Sequence, residues 1–334
     1  MTTKRIFLSF SKSPASVAVF VILNLLTMPG FVLGQRASVS DAPRVRRTAP
    51  GDTRTSATRQ RFLEMFARAY YPGRTGQLLI VPREGDFITR SDPNYLYMHG
   101  SPWAYDVSIP LMFAGPAART GVYSIPAVQQ DVAPTLAAAL GVQMPPNATG
   151  HVLPVLRKDF ARPRVVVLLV LDGMRRDYFD RYAAYMPTLT AIRRDSAWFN
   201  QARVNYLPTN TAVGHSTIST GTDPSVHGIT GISVYDRTHR QRHDMFARGM
   251  PQDLMALALA DVWQLATAGR SIILAQGSID RGDAPRWAWC VPVEWNASRA
   301  RKLRSADGQL DHKPRLFPFA RISERSKREN PLAG

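Results

Sequence analysis

Two side chains sit where chemistry is easiest to place. The run Val165-Val166-Val167-Leu168-Leu169-Val170-Leu171 ends in Asp172-Gly173. A continuously apolar, β-branched run of this kind predicts a strand buried on both faces, as in a parallel sheet covered by helices. Asp172 then falls at the end of the strand, and open α/β sheets keep their ligand crevice outside those carboxyl ends. A carboxylate there, followed by a glycine that lets the chain turn, is placed to hold a cation; it can equally cap the next helix. The other side chain is Thr211, in Pro208-Thr209-Asn210-Thr211-Ala212-Val213-Gly214-His215. Pro208 and Asn210 are turn residues, and Ala212 to Thr220 predicts a short helix with Thr211 at or near its N-cap. The positive end of a helix favours an oxyanion or a phosphate. A threonine hydroxyl is a weak nucleophile until something lowers its pKa, and a metal can do that. The alternative is an ordinary threonine cap.

The two motifs together are more specific than either alone. The strand ending in Asp172-Gly173, the spacing Thr211-x-x-Gly214-His215, and Thr220-Gly221-x-x-Pro224-x-x-His227-Gly228-Ile229 closely resemble the alkaline phosphatase superfamily. The branch most similar is the type I phosphodiesterase/nucleotide pyrophosphatase one, with the related Thr-dependent alkaline phosphatases. The resemblance implies that Asp172 is a zinc ligand and that Thr211 is the nucleophile that becomes phosphorylated. It gives His215 and His227 structural positions. The family places an Asn just after the Gly that follows the His-Gly-Ile run, where it helps hold a phosphate oxygen. Here Gly231 is followed by Ile232 and Ser233. An aliphatic side chain cannot donate that hydrogen bond, so Ser233 is the candidate substitute.

A second set of motifs lies earlier in the chain. His99-Gly100-Ser101-Pro102 with Tyr105-Asp106, then Pro110-Leu111-Met112-Phe113-Ala114-Gly115-Pro116, then Asp131-x-Ala133-Pro134-Thr135-Leu136-Ala137 resembles the C-terminal end of the same family. By itself a loop histidine is most often only a loop residue. The resemblance implies that His99 is a zinc ligand, and neutral imidazole suits zinc.

The order of the two blocks is reversed. In the family the block like 59–156 comes last and the block like 165–289 comes first; residues 157–164 form the junction here. The resemblance implies an α/β fold, a mostly parallel sheet flanked by helices, but an incomplete one. The family's site holds two zinc ions, and its middle segment supplies an Asp-x-x-x-His pair and an Asp-His pair. Asp223-x-x-x-His227 and Asp311-His312 have these spacings in the wrong contexts. Asp172, Thr211 and His99 cannot hold two zinc ions. Either a second chain completes the site or the polypeptide is a rearranged member. Fusion of the tail of one gene copy to the head of another accounts for both the order and the loss; circular permutation accounts for the order alone.

Composition sets the bounds. With 334 residues, 45% hydrophobic and 20% charged, the chain can bury a substantial core in one or two domains. The net charge of +17 favours phosphate esters, other polyanions or anionic lipid surfaces, or reflects a basic background. The Arg residues are dispersed, and no aromatic-interleaved basic patch marks a specific nucleic-acid reader. Cys290 is the one cysteine, so no intramolecular disulfide forms.

Residues 1–34 have the pattern of a secretory signal: Lys4, Arg5 and Lys12, then the apolar stretch Ala15 to Leu26, then small residues near Gly30 to Gly34. The apolar stretch is short for a membrane span. An uncleaved anchor is the alternative. The expected location is secreted or periplasmic, with no stable span after cleavage. Residues 35–58 read as a disordered linker and 290–334 as a basic, loop-rich tail. Between them the periodicity predicts helices over Arg61 to Tyr70, Val128 to Leu140 and Pro251 to Thr267. It predicts strands over Gly76 to Val81, Asp86 to Thr89, Ile109 to Ala114 and Ile272 to Gln276.

Two functions from different classes follow. One is a zinc-dependent phosphoric ester hydrolase working through phosphothreonine on a small phosphate ester. The other is an inactive, rearranged relative that at most binds phosphate-bearing ligands.

Overall fold

The computed structural model describes residues 17–22, 53–87, 98–246 and 253–273. Helix α1 (Thr53–Ala69) opens the well-packed part and begins inside the stretch that composition reads as linker. Its apolar face follows the helical period: Met65 and Ala69 are buried, and Phe62 and Phe66 pack beside them. The front block continues with α2 (Ala104–Val107), β2 (Leu111–Ala114), β3 (Gly121–Tyr123) and β4 (Ala127–Val128). A 3₁₀ turn over Gln129–Asp131 leads into α3 (Val132–Leu140). Gly141 closes α3 at φ 63°, the left-handed conformation a helix end requires.

The back block holds β5 (Val165–Val170), the short α4 (Tyr178–Arg181), α5 (Pro187–Arg194), β6 (Ser196–Phe199), β7 (Ala202–Arg203), α6 (Thr211–Thr220) and α7 (Pro224–His227). The hairpin β8 (Ser233–Asp236) and β9 (Gln241–Asp244) and helix α8 (Leu259–Ala266) follow. One further strand, β1 (Val17–Ile22), comes from the N-terminal apolar stretch.

The expected α/β class holds. The main sheet has five strands in the order β3-β6-β2-β1-β5. It is mixed: β1–β5 and β3–β6 run parallel, while β1–β2 and β2–β6 run antiparallel. Both faces are covered over part of their length. Val166, Leu168 and Val170 of β5 pack on the larger core. Leu169 and Leu171 pack on a smaller one built from Met112, Met174, Phe179 and Trp198.

Some expectations are corrected. β5 is not buried along its whole length: Val165 is 50% and Val167 42% exposed. Among the described residues β5 ends the sheet, and on the face that carries Val165 and Val167 the smaller core reaches only Leu169 and Leu171. Gly76 to Val81 forms no strand; Leu78 is 81% and Ile80 71% exposed, and no described strand lies beside them. Asp86 closes a turn on Arg83 O instead of opening a strand, and residues 88–89 lie outside the described residues. The last helix begins later than its periodicity suggests, because the Asp261 carboxylate accepts Ala258 N–H and starts it there. Ile272 and Ile273 are not in a strand, and the rest of that run is not described, nor are Cys290 and Asp311-His312.

The front and back blocks form one body. Their residues share a single core, with Met65, Leu111, Val132 and Leu136 from the front and Phe199, Tyr206, Val213 and Ile218 from the back. Gln130 Nε2 donates to Asn205 Oδ1 at 2.8 Å and to Asp223 Oδ1 at 2.6 Å. The Tyr206 hydroxyl donates to Gln129 Oε1. The N–H groups of Thr149 and Gly150 both donate to Gly221 O. These contacts fix the segment before α6 and the turn after it, so the front block positions the helix that carries Thr211.

Candidate active site

Asp172 follows the last residue of β5 by two, after Leu171, and Gly173 turns the chain with φ 78°. Thr211 is the first residue of α6. The cap is Asn210, whose Oδ1 accepts Val213 N–H at 3.3 Å. Asn210 therefore does the capping expected of Thr211, which frees the Thr211 hydroxyl to point elsewhere. It donates to Asp172 Oδ2 at 2.7 Å.

His99 comes from the front block and meets the same carboxylate. Its Nε2 is 3.5 Å from Asp172 Oδ1. Its Nδ1 is 2.9 Å from Thr209 O. A carbonyl can only accept, so Nδ1 carries a proton, which leaves Nε2 as the nitrogen whose lone pair a cation can use. The loop holding His99 is itself pinned: Asp106 Oδ2 accepts the N–H groups of Gly100 at 2.9 Å and Ser101 at 2.6 Å. The fold thus brings Asp172, Thr211 and His99 together from the front and back blocks.

The fit to a metal follows from these atoms. Two lone-pair donors facing each other repel unless a proton or a cation lies between them. Two ligands on one tetrahedral zinc, each about 2.0–2.1 Å from it, lie about 3.4 Å apart. The 3.5 Å between His99 Nε2 and Asp172 Oδ1 matches that edge. Asp172 Oδ1 is buried and accepts no hydrogen bond. With the Thr211 hydroxyl these atoms offer a cation two ligands and one hydroxyl oxygen; among the described residues there is no group of three or more His, Cys, Asp or Glu that could hold a metal ion.

His215 lies one turn beyond Thr211 on α6. Burial drives its pKa down to about 4, and the Asp172 carboxylate opposes that shift. The ring is therefore neutral near pH 7 and electrostatically close to Asp172. His227 is structural, as expected. Ile229 N–H donates to its Nδ1 at 3.1 Å, so its Nε2–H faces Thr217 Oγ1 at 3.0 Å. Both ring nitrogens are used. Asp223 accepts from Gln130, so the Asp223/His227 pair holds the fold together.

Ser233 does not join the cluster. It opens β8 opposite Asp244 and has no hydrogen bond to Asp172, Thr211 or His99. Ile232 is 43% exposed. Sequence reasoning missed the Thr209 carbonyl and the Asn210 cap. The first is a backbone group with no residue signature. The second had a signal, since Asn is a strong N-cap residue one position before a predicted helix.

The comparisons agree with the motifs. Residues 166–272 match the type I phosphodiesterase / nucleotide pyrophosphatase family. Alkaline phosphatase PafA of Elizabethkingia meningoseptica is 42% identical over 78 residues, 23% of this chain and 14% of that protein. Alkaline phosphatase PhoV of Synechococcus elongatus is 31% identical over 144 residues, 38% of this chain and 26% of that protein. Venom phosphodiesterase 2 of Crotalus adamanteus is 34% identical over 71 residues, 21% of this chain and 9% of that protein. The chain thus spans about a quarter or less of the length of these relatives. No solved structure matches it. Through residues 166–272, about a third of its length, the chain is similar to the type I phosphodiesterase / nucleotide pyrophosphatase family, and these relatives include alkaline phosphatases and a venom phosphodiesterase.

Proposed function

We propose that this site hydrolyses small phosphoric esters, with Thr211 as nucleophile and with Asp172 and His99 as ligands of one zinc ion. The observation that carries the reading is the Thr211 hydroxyl held 2.7 Å from Asp172 at the start of a helix. Zinc, when bound, supplies the positive charge that lowers the pKa of the hydroxyl. The amino end of α6 favours the phosphoryl oxygens. Thr211 Oγ attacks phosphorus as the bond to the leaving alcohol breaks, and that alcohol takes up a proton. Water then attacks the phosphothreonine, frees the phosphate product and restores the Thr211 hydroxyl. Asp172 orients Oγ, and the Thr209 carbonyl keeps His99 in the tautomer whose Nε2 can bind metal.

The direct test is acid quenching of the protein with 4-nitrophenyl phosphate or its diester, followed by a search for phosphothreonine at 211. The Thr211→Ser variant keeps a trapped phosphoryl group; Thr211→Ala has none. No phosphoryl group on the unsubstituted chain sinks the reading.

A second reading rests on Ile232 and on the single-zinc donor set. It makes the chain a binding relic of the hydrolase. Ile232→Asn separates the two. A rise of about tenfold or more in turnover marks a hydrolase weakened by one lost donor. No turnover in either form marks the relic. Secretion or a periplasmic location goes with either reading. It is supported by the basic-then-apolar pattern of residues 1–34.

A further inference from the structure

The apolar leader has a second place to be. Its residues Val17–Ile22 lie as β1 in the interior of the main sheet, between β2 and β5. The pairing with β5 is parallel and spans all six residues, from Val17↔Val165 to Ile22↔Val170. The pairing with β2 is antiparallel, from Val19↔Ala114 to Val21↔Met112. Among the described residues β5 has no other strand neighbour and ends the sheet. Its described ladder hydrogen bonds therefore all run to β1, and Asp172 follows β5 by two residues.

The sequence of β5 makes that dependence costly. Val165 to Val170 contains no charge and no proline, so it has none of the features that protect an open strand edge. Lifting β1 out leaves two unprotected edges facing a gap one strand wide. A segment seated there cannot also cross a bilayer. Cleavage after it would remove the link between the two halves of the sheet.

We propose that the gap between β2 and β5 is a strand-acceptor site, and that its occupant in the folded protein is the chain's own Val17–Ile22. The leader is then a retained structural strand that positions Asp172, and not a segment discarded on export. This does not depend on the hydrolase reading, since it concerns backbone pairing alone.

The test begins on the full, unsubstituted chain, with intact mass and hydrogen exchange. The expected result is a mass that includes residues 17–22, with exchange over 17–22 as slow as over 111–114. A mature protein that lacks 17–22 while 165–170 stays protected overturns the proposal. So does fast exchange at 17–22 in a folded protein.

The second part uses Val19→Pro/Val21→Pro in the full chain, because proline cannot donate in a central strand. Exchange at 165–170 should speed up by at least about tenfold while α3 and α6 stay protected. A synthetic peptide covering 17–22, added in trans, should restore the slow exchange. The same peptide carrying the two prolines should not. Unchanged exchange at 165–170 in the variant contradicts the proposal.

Discussion

Thr211 Oγ1 stands 2.7 Å from Asp172 Oδ2, although 39 residues separate the two in the chain. The contact joins the end of a strand to the start of a helix, and the second carboxylate oxygen of Asp172 meets His99 from the opposite block. One carboxylate therefore orients the hydroxyl and faces the imidazole. Asp172→Asn keeps the shape but removes the charge and puts an amide between the two partners. Zinc affinity should fall by about 100-fold or more, on the scale seen when ligands and their supports are lost. Thr211→Ala should weaken zinc less and abolish phosphothreonine. Competition with a chelating dye reads the first, and acid quenching the second.

Burial holds His227 well below the ordinary histidine range, at about 3. The sign follows from linkage. The unfolded state takes up a proton near pH 6.5 and the folded state only near 3, so the unfolded form binds more protons between those values. Stability is then level above about pH 6.5 and falls as the pH drops through the window, by up to about 1.4 kcal/mol per unit from this group. Urea unfolding at pH 7, 6 and 5 checks the slope, and His227→Gln should flatten it.

Thr217 is the partner of His227 Nε2 inside the core. Thr217→Val keeps the shape and strands a buried donor, which costs about 1–3 kcal/mol. Thr217→Ser should recover most of that loss. Thermal unfolding of the three proteins decides it.

The seam between the blocks can be probed without touching the site. A Cβ on Gly150 would lie 2.1 Å from Gln130 O, and one on Gly221 would lie 2.8 Å from Pro134 Cδ at φ 71°. Neither neighbour is the end of a flexible side chain. Gly150→Ala and Gly221→Ala should each destabilise by about 2 kcal/mol or more. Gln130→Met should cost about 1–3 kcal/mol, because Asn205 and Asp223 lose their shared donor. Near-neutral effects at all three positions would mean that the two blocks are not packed as described.

The site was more legible than the sheet. A strand end and a helix start drew the eye to Asp172 and Thr211, while their roles, and the choice of His99, came from the resemblance of the surrounding motifs to the family. Asp106 was visible as a nearby acid, and its role in pinning Gly100 and Ser101 is backbone chemistry that spacing does not reveal. Val165 and Val167 misled because an apolar run says nothing about which strand ends a sheet. Leu78 and Ile80 misled for a related reason: they have strand-forming residue types but no described strand to pair with. The leader is the stretch that composition reads least: an apolar run suits an export signal and an inner strand equally well.

The most direct measurement is zinc per chain, by elemental analysis after exhaustive dialysis, on the unsubstituted protein and on Asp172→Asn. The geometry of His99, Asp172 and Thr211 predicts about one zinc per chain, lost in the variant. About two would mean that a second polypeptide supplies the further ligands. None on the unsubstituted chain would contradict the account, because three converging donors would then be a scaffold without its metal.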